Sequence, residues 1–429
     1  MALPPPARDL PAWLKLLEDR HPTSIDLGLE RCGAVWRALG APRPAAQVVT
    51  VAGTNGKGST VRWLCAVLQG LGLSHAAYTS PHLLRFNERL SLFGEAVSDG
   101  ELVRAFAAVE AARGDMSLTY FEFTTLACLW LMAAAGPDVA VLEVGLGGRL
   151  DTVNLIDPDV AVITPVGLDH QAFLGTDREQ IGAEKAGILR PGIPVISAEA
   201  KPPESVLQAA AELDCDLFRA GQDFRLQAEG ERLRFDIAEA SLALARPPLA
   251  QGHQLDNLAG ALAAAWALSG RLPDTEALDA ALAATRHPGR LQLVHETPRC
   301  WVDVGHNPLA ASAVADWLSA ETEVPVKAVL AMYADKDALS VAQRLAPVVE
   351  TFYCAGLEDA ERGQSARALA DRVQTPGGTQ ALACGAVSEA LVMALRETKA
   401  GQGVLVFGSF QTAAEALQWF AQLRTDSAG

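Results

Sequence analysis

Seven consecutive residues have the composition of a loop that holds phosphate groups. Glycines let several backbone N–H groups converge on one phosphate, and a lysine among them can reach the terminal phosphates of a nucleotide. The usual pattern, G-x-x-x-x-G-K-[ST], is met imperfectly, because Val51 replaces its first glycine and an extra glycine separates the lysine from the serine. Strand residues precede the loop and an amphipathic helix follows, which favours phosphate binding over an ordinary strand–helix turn. We therefore expect ATP to be bound by Gly53, Thr54, Asn55, Gly56, Lys57, Gly58 and Ser59.

Two potential metal ligands follow apolar strands farther along the chain. Glu143 lies at the end of the apolar run Val139–Val144, and His170 is expected at the carboxyl end of the strand Val160–Thr164. Open α/β sheets bind ligands at the carboxyl ends of their strands, where an acid is costly to bury without a partner. These positions favour a Mg²⁺ site; the alternatives are a solvated glutamate and a structural histidine. Lys185, considered alone, is expected to be a solvated helix lysine.

Further polar groups stand next to backbone breaks in the second half of the chain. Arg290 follows a Pro-Gly pair, and Asp303 opens the sequence Asp-x-x-His-Asn-Pro after a run of strand residues. This concentrates polar groups in one turn, but Asn307 could equally only start a helix while Asp303 is solvated. Asn257 precedes an Ala-rich stretch and could equally be only a helix N-cap. The residues alone leave both interpretations open.

Short β-branched runs alternate with Ala- and Leu-rich stretches along most of the chain. Nearly continuous apolar runs of this kind indicate parallel strands buried on both faces of a sheet. A helix is expected to begin near Ser59, where apolar residues recur at helical spacing, and alternation over Leu217–Leu249 indicates antiparallel hairpins. A Pro-Gly break at 288–289 then starts a second β/α alternation. The predicted strands are Val48–Val51, Val139–Val144, Val160–Thr164, Val302–Val304, Val326–Leu330 and Val404–Phe407.

The overall composition argues against several classes of protein. Of 429 residues, 35 are basic and 51 acidic, and this net charge of −16 gives no overall attraction for nucleic acid. The seven cysteines are scattered without a C-x-x-C pair, which fits a reducing compartment rather than a disulfide framework. The N-terminus lacks the pattern of a signal peptide, and the longest apolar runs are shorter than the ~20 residues that span a bilayer. We expect a cytoplasmic protein without nucleic-acid or membrane partners.

A series of short motifs, taken in order along the chain, resembles one family of enzymes. The chain is similar to the folylpolyglutamate synthases, which are Mur-ligase-like amide ligases, and especially to the bacterial bifunctional dihydrofolate synthase/folylpolyglutamate synthases. The resemblance runs from about Ile25 to Phe410, and Ser59 and Gly305 are small departures from the commoner Thr and Ala. The motifs are VAGTNGKGS (51–59), TSPHL (79–83), TYFE (119–122), EVGLGGRLD (143–151), LDH (168–170), EKAG (184–187), PGR (288–290), DVGHNP (303–308) and FGSF (407–410).

The resemblance implies a metal centre. Ser80, Glu143 and His170 match magnesium ligands of the family. Lys185 matches a lysine that CO₂ can carbamylate, which gives an anion with oxygen donors for a second Mg²⁺. This reverses the interpretation of Lys185 as a solvated residue. Lys57, His170 and Lys185 become the expected catalytic residues.

The resemblance also implies contacts with the substrates. Asn257, Arg290 and Asp303 match nucleotide contacts. Three segments match the pterin or folate side of the bifunctional enzymes. They comprise Ser24, Ile25, Asp26, Leu27, Thr119, Tyr120, Phe121, Glu122, Leu150, Asp151 and Thr152.

The expected fold is α/β in two domains. Residues 1–287 would form a P-loop NTPase-like, ATP-binding domain of the Mur-ligase central type with a mainly parallel sheet. Residues 288–429 would form a smaller Rossmann-like glutamate-ligase domain. The implied enzyme is a monomer that uses ATP and Mg²⁺ to add L-glutamate to dihydropteroate and to the glutamate tail of tetrahydrofolates through an acyl phosphate. The alternatives are a monofunctional folylpolyglutamate synthase, a cell-wall Mur ligase, and a P-loop ATPase acting as a switch or motor.

Overall fold

A computed structural model describes residues 8–20, 25–358, 360, 362–374 and 378–426. The chain forms two compact units, Met1–Thr285 and Arg286–Gly429, and each is described by itself. Among the described residues, every helix is too short or too polar to cross a membrane.

The first unit is built around an eight-stranded sheet with helices on both faces. Its helices are α1 (Leu10–Arg20), α2 (Glu30–Ala38), α3 (Lys57–Gly70), α4 (Asp99–Arg113), α5 (Tyr120–Ala135), α6 (Gln171–Leu174), α7 (Arg178–Ala186), α8 (Glu204–Glu212), α9 (His253–Ser269) and α10 (Thr275–Ala284). Its strands are β1 (Gln47–Ala52), β2 (His75–Tyr78), β3 (Leu90–Leu92), β4 (Glu95–Ala96), β5 (Val139–Glu143), β6 (Val160–Ile163), β7 (Pro194–Ser197), β8 (Asp216–Arg219), β9 (Phe224–Glu229), β10 (Arg232–Ile237) and β11 (Ala240–Ala245).

The large sheet brings three predicted strands side by side. Its strand order is β4-β3-β2-β5-β1-β6-β7-β8, and β1 pairs in parallel with both β5 and β6. Val51 lies opposite Glu143 in the first pair and opposite Val162 in the second. The edge strands β3 and β4 run antiparallel. The carboxyl ends of β5, β1 and β6 therefore meet at one edge, where an α/β sheet binds its ligands.

Alternate residues of β1 enter different cores, which explains why the strand reads as a continuous apolar run. Val48 and Ala52 pack in the core that contains α5, whereas Val49 and Val51 pack in the core that contains α3. Because side chains alternate across a strand, a sheet covered on both faces needs apolar residues at every position. The predicted mainly parallel α/β fold of the first unit is confirmed.

The prediction of antiparallel hairpins over Leu217–Leu249 is partly right. Strands β9, β10 and β11 form a three-stranded antiparallel sheet, with Phe235 opposite Leu226 on one side and Leu242 on the other. β8 does not belong to it, because β8 pairs in parallel with β7 and extends the large sheet. The apolar faces of β9–β11 pack in the same core as α3 and α9.

The second unit is a smaller α/β structure. Its strand order is β12-β13-β17-β14-β15-β16, with β12 antiparallel and the others parallel. This confirms the predicted second α/β fold. The strands are β12 (Gln292–Glu296), β13 (Arg299–Val302), β14 (Val326–Leu330), β15 (Val349–Cys354), β16 (Gln380–Ala383) and β17 (Val404–Phe407). The helices are α11 (Pro308–Glu321), α12 (Ala338–Leu345), α13 (Ala366–Val373), α14 (Val387–Glu397) and α15 (Phe410–Asp426).

One predicted strand of this unit has different bounds. The prediction was Val302–Val304, but β13 ends at Val302. The N–H of Asp303 still donates to the carbonyl of Val406 in β17 (2.9 Å), but the N–H of Val304 donates to the carbonyl of Gly289 (2.9 Å), so regular strand pairing ends there.

Candidate active site

The glycine loop joins β1 to α3 and has no room for side chains at two of its glycines. Gly53 has φ +148°, and a Cβ there would collide with Thr164. Gly56 has φ +89°, and a Cβ there would collide with the amide oxygen of Asn257. α3 begins at the next residue, Lys57, so its first N–H groups and its partial positive charge face the loop. The local geometry is that of a phosphate-binding loop.

Two lysine amines meet at one carbonyl of this loop. Lys57 Nζ donates to the carbonyl oxygens of Gly53 (3.2 Å) and Thr54 (3.1 Å). Lys185 Nζ, from α7, donates to the same Gly53 oxygen at 2.8 Å. The interpretation of Lys185 as a solvated lysine is wrong, because only 3% of it is exposed.

The environment of Lys185 favours its neutral form. Burial, followed by the nearby charge of Lys57, lowers the pKa of Lys185 to about 7 against the opposing effects of Asp169 and Asp151. A lysine in water has its pKa near 10.4. A substantial fraction of Lys185 is therefore a free amine at neutral pH, the form that is nucleophilic, and that fraction grows as the pH rises.

Glu143 is held at the end of β5 beside the loop. It is 6% exposed, so the alternative of a solvated glutamate is wrong. The backbone N–H of Ser80 donates to its Oε2 at 3.2 Å, and a Cβ at Gly58 would lie 3.5 Å from the same oxygen. The structure thus places Ser80 and Glu143 together, against the first turn of α3.

His170 lies on a segment that is fastened to the glycine loop. The hydroxyl of Thr54 donates to the carbonyl of Gly167, and the N–H of Gly167 donates back to it, both at 3.0 Å. His170 itself takes up a left-handed conformation (φ +51°) immediately before α6, and its N–H bonds to Asp169 (2.8 Å). It therefore follows a turn at the sheet edge rather than the strand end itself.

The donors predicted for magnesium suit a site that the substrate completes. No group of three or more His, Cys, Asp or Glu residues that could hold a metal ion occurs in the part of the chain that the structure describes. Of the four predicted ligands, Glu143 supplies a carboxylate, Ser80 a hydroxyl, His170 an imidazole, and Lys185 oxygen atoms only if carbamylated. Mg²⁺ is commonly held by one or two carboxylates, waters and substrate phosphates. The residues fit that mode of binding.

Asn257 belongs to the loop's surroundings and is not a helix cap. α9 begins at His253, so Asn257 lies inside the helix, and it is 2% exposed. Its amide Nδ2 donates to Gln254 Oε1 at 3.2 Å, and Gln254 Nε2 donates to Ser59 Oγ at 3.3 Å. The sequence interpretation missed Gln254. Gln254 could have been found from the sequence, because it precedes Asn257 by three residues and so lies on the same face of the helix.

Two of the three predicted pterin segments are joined by an ion pair. Thr119 and Glu122 form a capping box at the start of α5, with Thr119 N–H donating to Glu122 Oε2 (2.8 Å). Arg31 of α2 contacts both Glu122 (3.0 Å) and Asp26 (2.7 Å). Ile25 and Leu27, on either side of Asp26, are half-buried, whereas Ser24 lies outside the described residues.

The third segment is fixed by Asp151. Its Oδ2 accepts the N–H groups of Gly145 (3.0 Å) and Leu146 (2.8 Å), and its Oδ1 accepts that of Val153 (3.0 Å). Burial raises the pKa of Asp151 to about 6 although these hydrogen bonds lower it. A Cβ at Gly145 would collide with the Phe121 ring, so this loop also packs on α5.

The remaining members of these segments lie nearby. The Tyr120 ring meets the Phe86 ring edge-on, with 6.3 Å between centroids. Thr152 is buried and begins a short 3₁₀ helix, and Leu150 is half-buried. Within the first unit, the structure therefore places the described residues of all three segments in one region.

Arg290 and Asp303 lie together within the second unit. Asp303 accepts the N–H groups of Leu291 (2.9 Å) and Gly305 (2.7 Å) and is 5% exposed, so its interpretation as a solvated residue is wrong. The Arg290 guanidinium lies over the Phe410 ring, 5.3 Å from its centroid. Asn307 caps α11, as expected of the Asn-Pro pair.

Comparisons with known proteins agree with this arrangement. The family model of the Mur ligase middle domain matches residues 51–265, and that of the Mur ligase glutamate ligase domain matches residues 289–410. The dihydrofolate synthase/folylpolyglutamate synthase of Escherichia coli (strain K12) is 41% identical over 416 residues, which cover 97% of this chain and 96% of that protein. The chain belongs to the dihydrofolate synthase/folylpolyglutamate synthase family.

Solved structures of this family share the fold. E. coli FolC in complex with DHPP and ADP is 40% identical, with a TM-score of 0.90 over 98% of this chain and 100% of that chain. A bifunctional folylpolyglutamate synthase/dihydrofolate synthase with Mn, AMPPNP and L-glutamate bound is 41% identical, with a TM-score of 0.87 over 97% and 98% of the two chains. The folylpolyglutamate synthase family resemblance is thereby confirmed, and with it the assignment to Mur-type ATP-dependent ligases. A switch or motor ATPase is excluded.

Proposed function

We propose that this chain adds L-glutamate to dihydropteroate, and to the glutamate tail of tetrahydrofolates, at the expense of ATP. The observation that carries the proposal is the segment 143–151. At one end Glu143 lies against the glycine loop, and at the other end Asp151 bonds back to Gly145 and Leu146, beside Phe121 of the predicted pterin region. One short segment thus connects the phosphate side with the acceptor side.

The proposed reaction has two steps. An oxygen of the acceptor carboxylate attacks the γ-phosphorus of ATP, and the bond to the bridging oxygen of ADP breaks. The amine of L-glutamate then attacks the acyl carbon, phosphate leaves, and the nitrogen loses a proton as the amide forms. Two anions approach each other in the first step, so catalysis depends mainly on positioning and on neutralising charge.

The first unit supplies much of that positive potential locally, although the protein is acidic. The N–H groups of Gly56–Ser59 at the start of α3 would face the phosphates, and Lys57 would reach the terminal phosphates, whereas the N–H groups of Thr54 and Asn55 donate to the Pro165 carbonyl (3.0 and 3.4 Å). Ser80, Glu143 and His170 would hold Mg²⁺, which neutralises phosphate charge when bound. We assign Asn257, Arg290 and Asp303 to nucleotide contacts, and His170 to the metal rather than to the incoming amine.

Carbamylation of Lys185 is part of the proposal. A neutral amine adds to CO₂ and then releases a proton, which leaves a carbamate anion with two oxygen donors. Burial of Lys185 and its proximity to Lys57 favour the neutral amine. The product places an anion beside Lys57 in place of the neutral amine, and it would supply hard oxygen ligands for a second Mg²⁺. Lys57 and the two ions would then surround the reacting phosphate.

Activity toward both acceptors is favoured over a monofunctional folylpolyglutamate synthase. The support is the connected set of Asp26, Glu122 and Asp151, since these positions match the pterin side of the bifunctional enzymes. Several relatives that cover about 95% carry both activities in their names.

The proposal also covers the roles of the two units, the oligomeric state and the compartment. Residues 1–287 would bind ATP and the acceptor, and residues 288–429 would serve as the glutamate-ligase domain. The seven cysteines are free thiols, which supports a reducing cytoplasm. We propose a monomer acting on small molecules.

Oxygen transfer tests the acyl-phosphate step. Dihydropteroate with heavy oxygen in its carboxylate is turned over with ATP and L-glutamate, and the released phosphate is analysed by mass spectrometry. One labelled oxygen per phosphate is expected, because the carboxylate oxygen that attacks ATP leaves with phosphorus. Unlabelled phosphate would refute this chemistry.

A further inference from the structure

Arg31 is the residue that joins two acceptor segments otherwise distant in sequence. Its Nη1 contacts Asp26 Oδ2 at 2.7 Å, and its Nη2 bonds to the Asp26 carbonyl at 3.1 Å. The same Nη2 donates to Glu122 Oε1 at 3.0 Å. Arg31 thus holds both the main chain and the side chain of one segment while it contacts the carboxylate of the other.

The two carboxylate oxygens of Glu122 have different hydrogen-bond partners. Oε2 accepts the N–H of Thr119 and closes the capping box of α5, while Oε1 faces Arg31. The side chain is nearly inaccessible to water, so its negative charge needs a partner. The ion pair therefore has one buried member, unlike the exposed pairs on the surface of the unit.

Arg31 lies on a helix that is packed in the core, whereas Asp26 lies on a segment without regular secondary structure. Arg31 belongs to α2, whose buried residues Cys32, Val35 and Trp36 pack in the same core as α5. Residues 25–28 form neither helix nor strand. Their position relative to α5 therefore depends on local contacts, and the guanidinium of Arg31 provides two to Asp26 and one to Glu122.

We propose that Arg31 is a positioning residue for the pterin-bearing acceptor, because it fixes the 25–28 segment against the start of α5. This inference rests on the proposed function, since it concerns the same acceptor site. The role is to keep the site in its binding conformation, without contact with the reacting atoms. Its loss should weaken acceptor binding and leave ATP binding and the chemical step nearly intact.

Steady-state kinetics of three variants test this role. For R31A we expect the KM for dihydropteroate to rise about tenfold, with kcat and the KM for ATP changed less than about twofold. R31K should recover only part of the loss, because one ammonium cannot reproduce a planar fork. Arg234→Ala is the control, since it removes an exposed arginine paired with Asp236 and should leave every constant unchanged.

The double variant R31A/E122Q separates positioning from stability. Removing Arg31 alone leaves a buried charge and should lower the melting temperature. Glutamine at 122 can still cap α5 and carries no charge, so the double variant should regain much of that loss. The KM for dihydropteroate should nevertheless stay above that of the single variant E122Q, because the contact with Asp26 is still missing.

The outcomes distinguish this inference from the proposed function. If the double variant regains a normal KM together with its melting temperature, Arg31 is only structural and the inference fails. An unchanged KM in R31A, or an equal rise in the KM for ATP, also refutes it. A wild-type protein that neither binds nor turns over dihydropteroate would instead refute the proposed function, and this inference with it.

Discussion

The side-chain amines of Lys57 and Lys185 donate to the same carbonyl oxygen, that of Gly53, at 3.2 and 2.8 Å. Two ammonium groups so close together in a buried site repel each other, and the cost falls if one of them is neutral. Lys185 is the more buried residue, and its pKa is lowered to about 7. The arrangement thus keeps a cation for the phosphates and a free amine for reaction with CO₂.

The burial of Lys185 should reduce the stability of the fold. We expect Lys185→Met to abolish activity and to raise the free energy of unfolding at pH 7 by about 1–3 kcal/mol, because a side chain of similar size replaces a buried amine. Chemical denaturation measures the change. Lys201→Met, at an exposed lysine, is the control and should have little effect. A Lys185→Met protein less stable than wild type would contradict this account.

The same variant gives a pH dependence of defined sign. The pKa of Lys185 is about 7 in the folded chain and near 10.4 when the chain is unfolded. Between these values the unfolded chain binds more protons, so this group makes wild-type stability rise with pH. The advantage of Lys185→Met should therefore be largest near pH 7 and shrink toward pH 10. A constant difference across that range would show that the lysine is not shifted.

Carbamylation should be visible directly. With carbon-13 bicarbonate, Mg²⁺ and a non-hydrolysable ATP analogue, NMR should show a carbamate carbon in the wild type and none in Lys185→Met. The signal should weaken as the pH falls below 7, because protonation of the amine prevents its addition to CO₂. A bare lysine under these conditions in the wild type would exclude the carbamate from the mechanism.

Gly56 should be required for ATP binding because of its surroundings as well as its φ angle. Gly56→Ala would place a methyl group against Asn257 at φ +89°, whereas Gly40→Ala has φ +91° with open space around it. Both variants carry about 1 kcal/mol of backbone strain. We expect only Gly56→Ala to weaken ATP binding, by about tenfold or more, as measured by calorimetry. Equal affinities in the two variants would contradict the loop assignment.

Glu143 should set the magnesium requirement. Glu143→Gln removes the charge but keeps the size, so we expect the Mg²⁺ concentration for half-maximal activity to rise about tenfold or more. The matched control is Asp279→Asn, which neutralises a carboxylate paired with Arg232 away from the loop. An unchanged magnesium titration in Glu143→Gln would remove Glu143 from the metal site.

The sequence predicted the elements of the fold better than the surroundings of single residues. β1, β5 and β6 were recognisable because a sheet covered on both faces needs apolar residues at every position. Lys185, by contrast, looked solvated, and a solvated Asp303 could not be ruled out from the sequence, since burial of a polar residue depends on packing that local sequence does not record. For Lys185 the resemblance to a family, and not its neighbours in the chain, indicated a role in the site.

Contacts between segments that are distant in sequence could not be predicted either, because they also depend on packing. Arg31 and Glu122 are 91 residues apart, and no local pattern links them. Asn257 could be mistaken for a helix cap because the start of α9, four residues earlier at His253, has no Ser, Thr, Asp or Asn cap. The glycine loop was predicted despite its irregular spacing, because the strand before it and the helix after it are both evident locally.

Phosphate release from ATP under defined co-substrate conditions tests the central claim most directly. The enzyme is supplied with ATP, Mg²⁺ and L-glutamate, with dihydropteroate, tetrahydrofolate or no acceptor. Phosphate release with either acceptor, and almost none when the acceptor or L-glutamate is omitted, is the predicted result. Release that does not depend on both co-substrates, or no release with dihydropteroate, would contradict it.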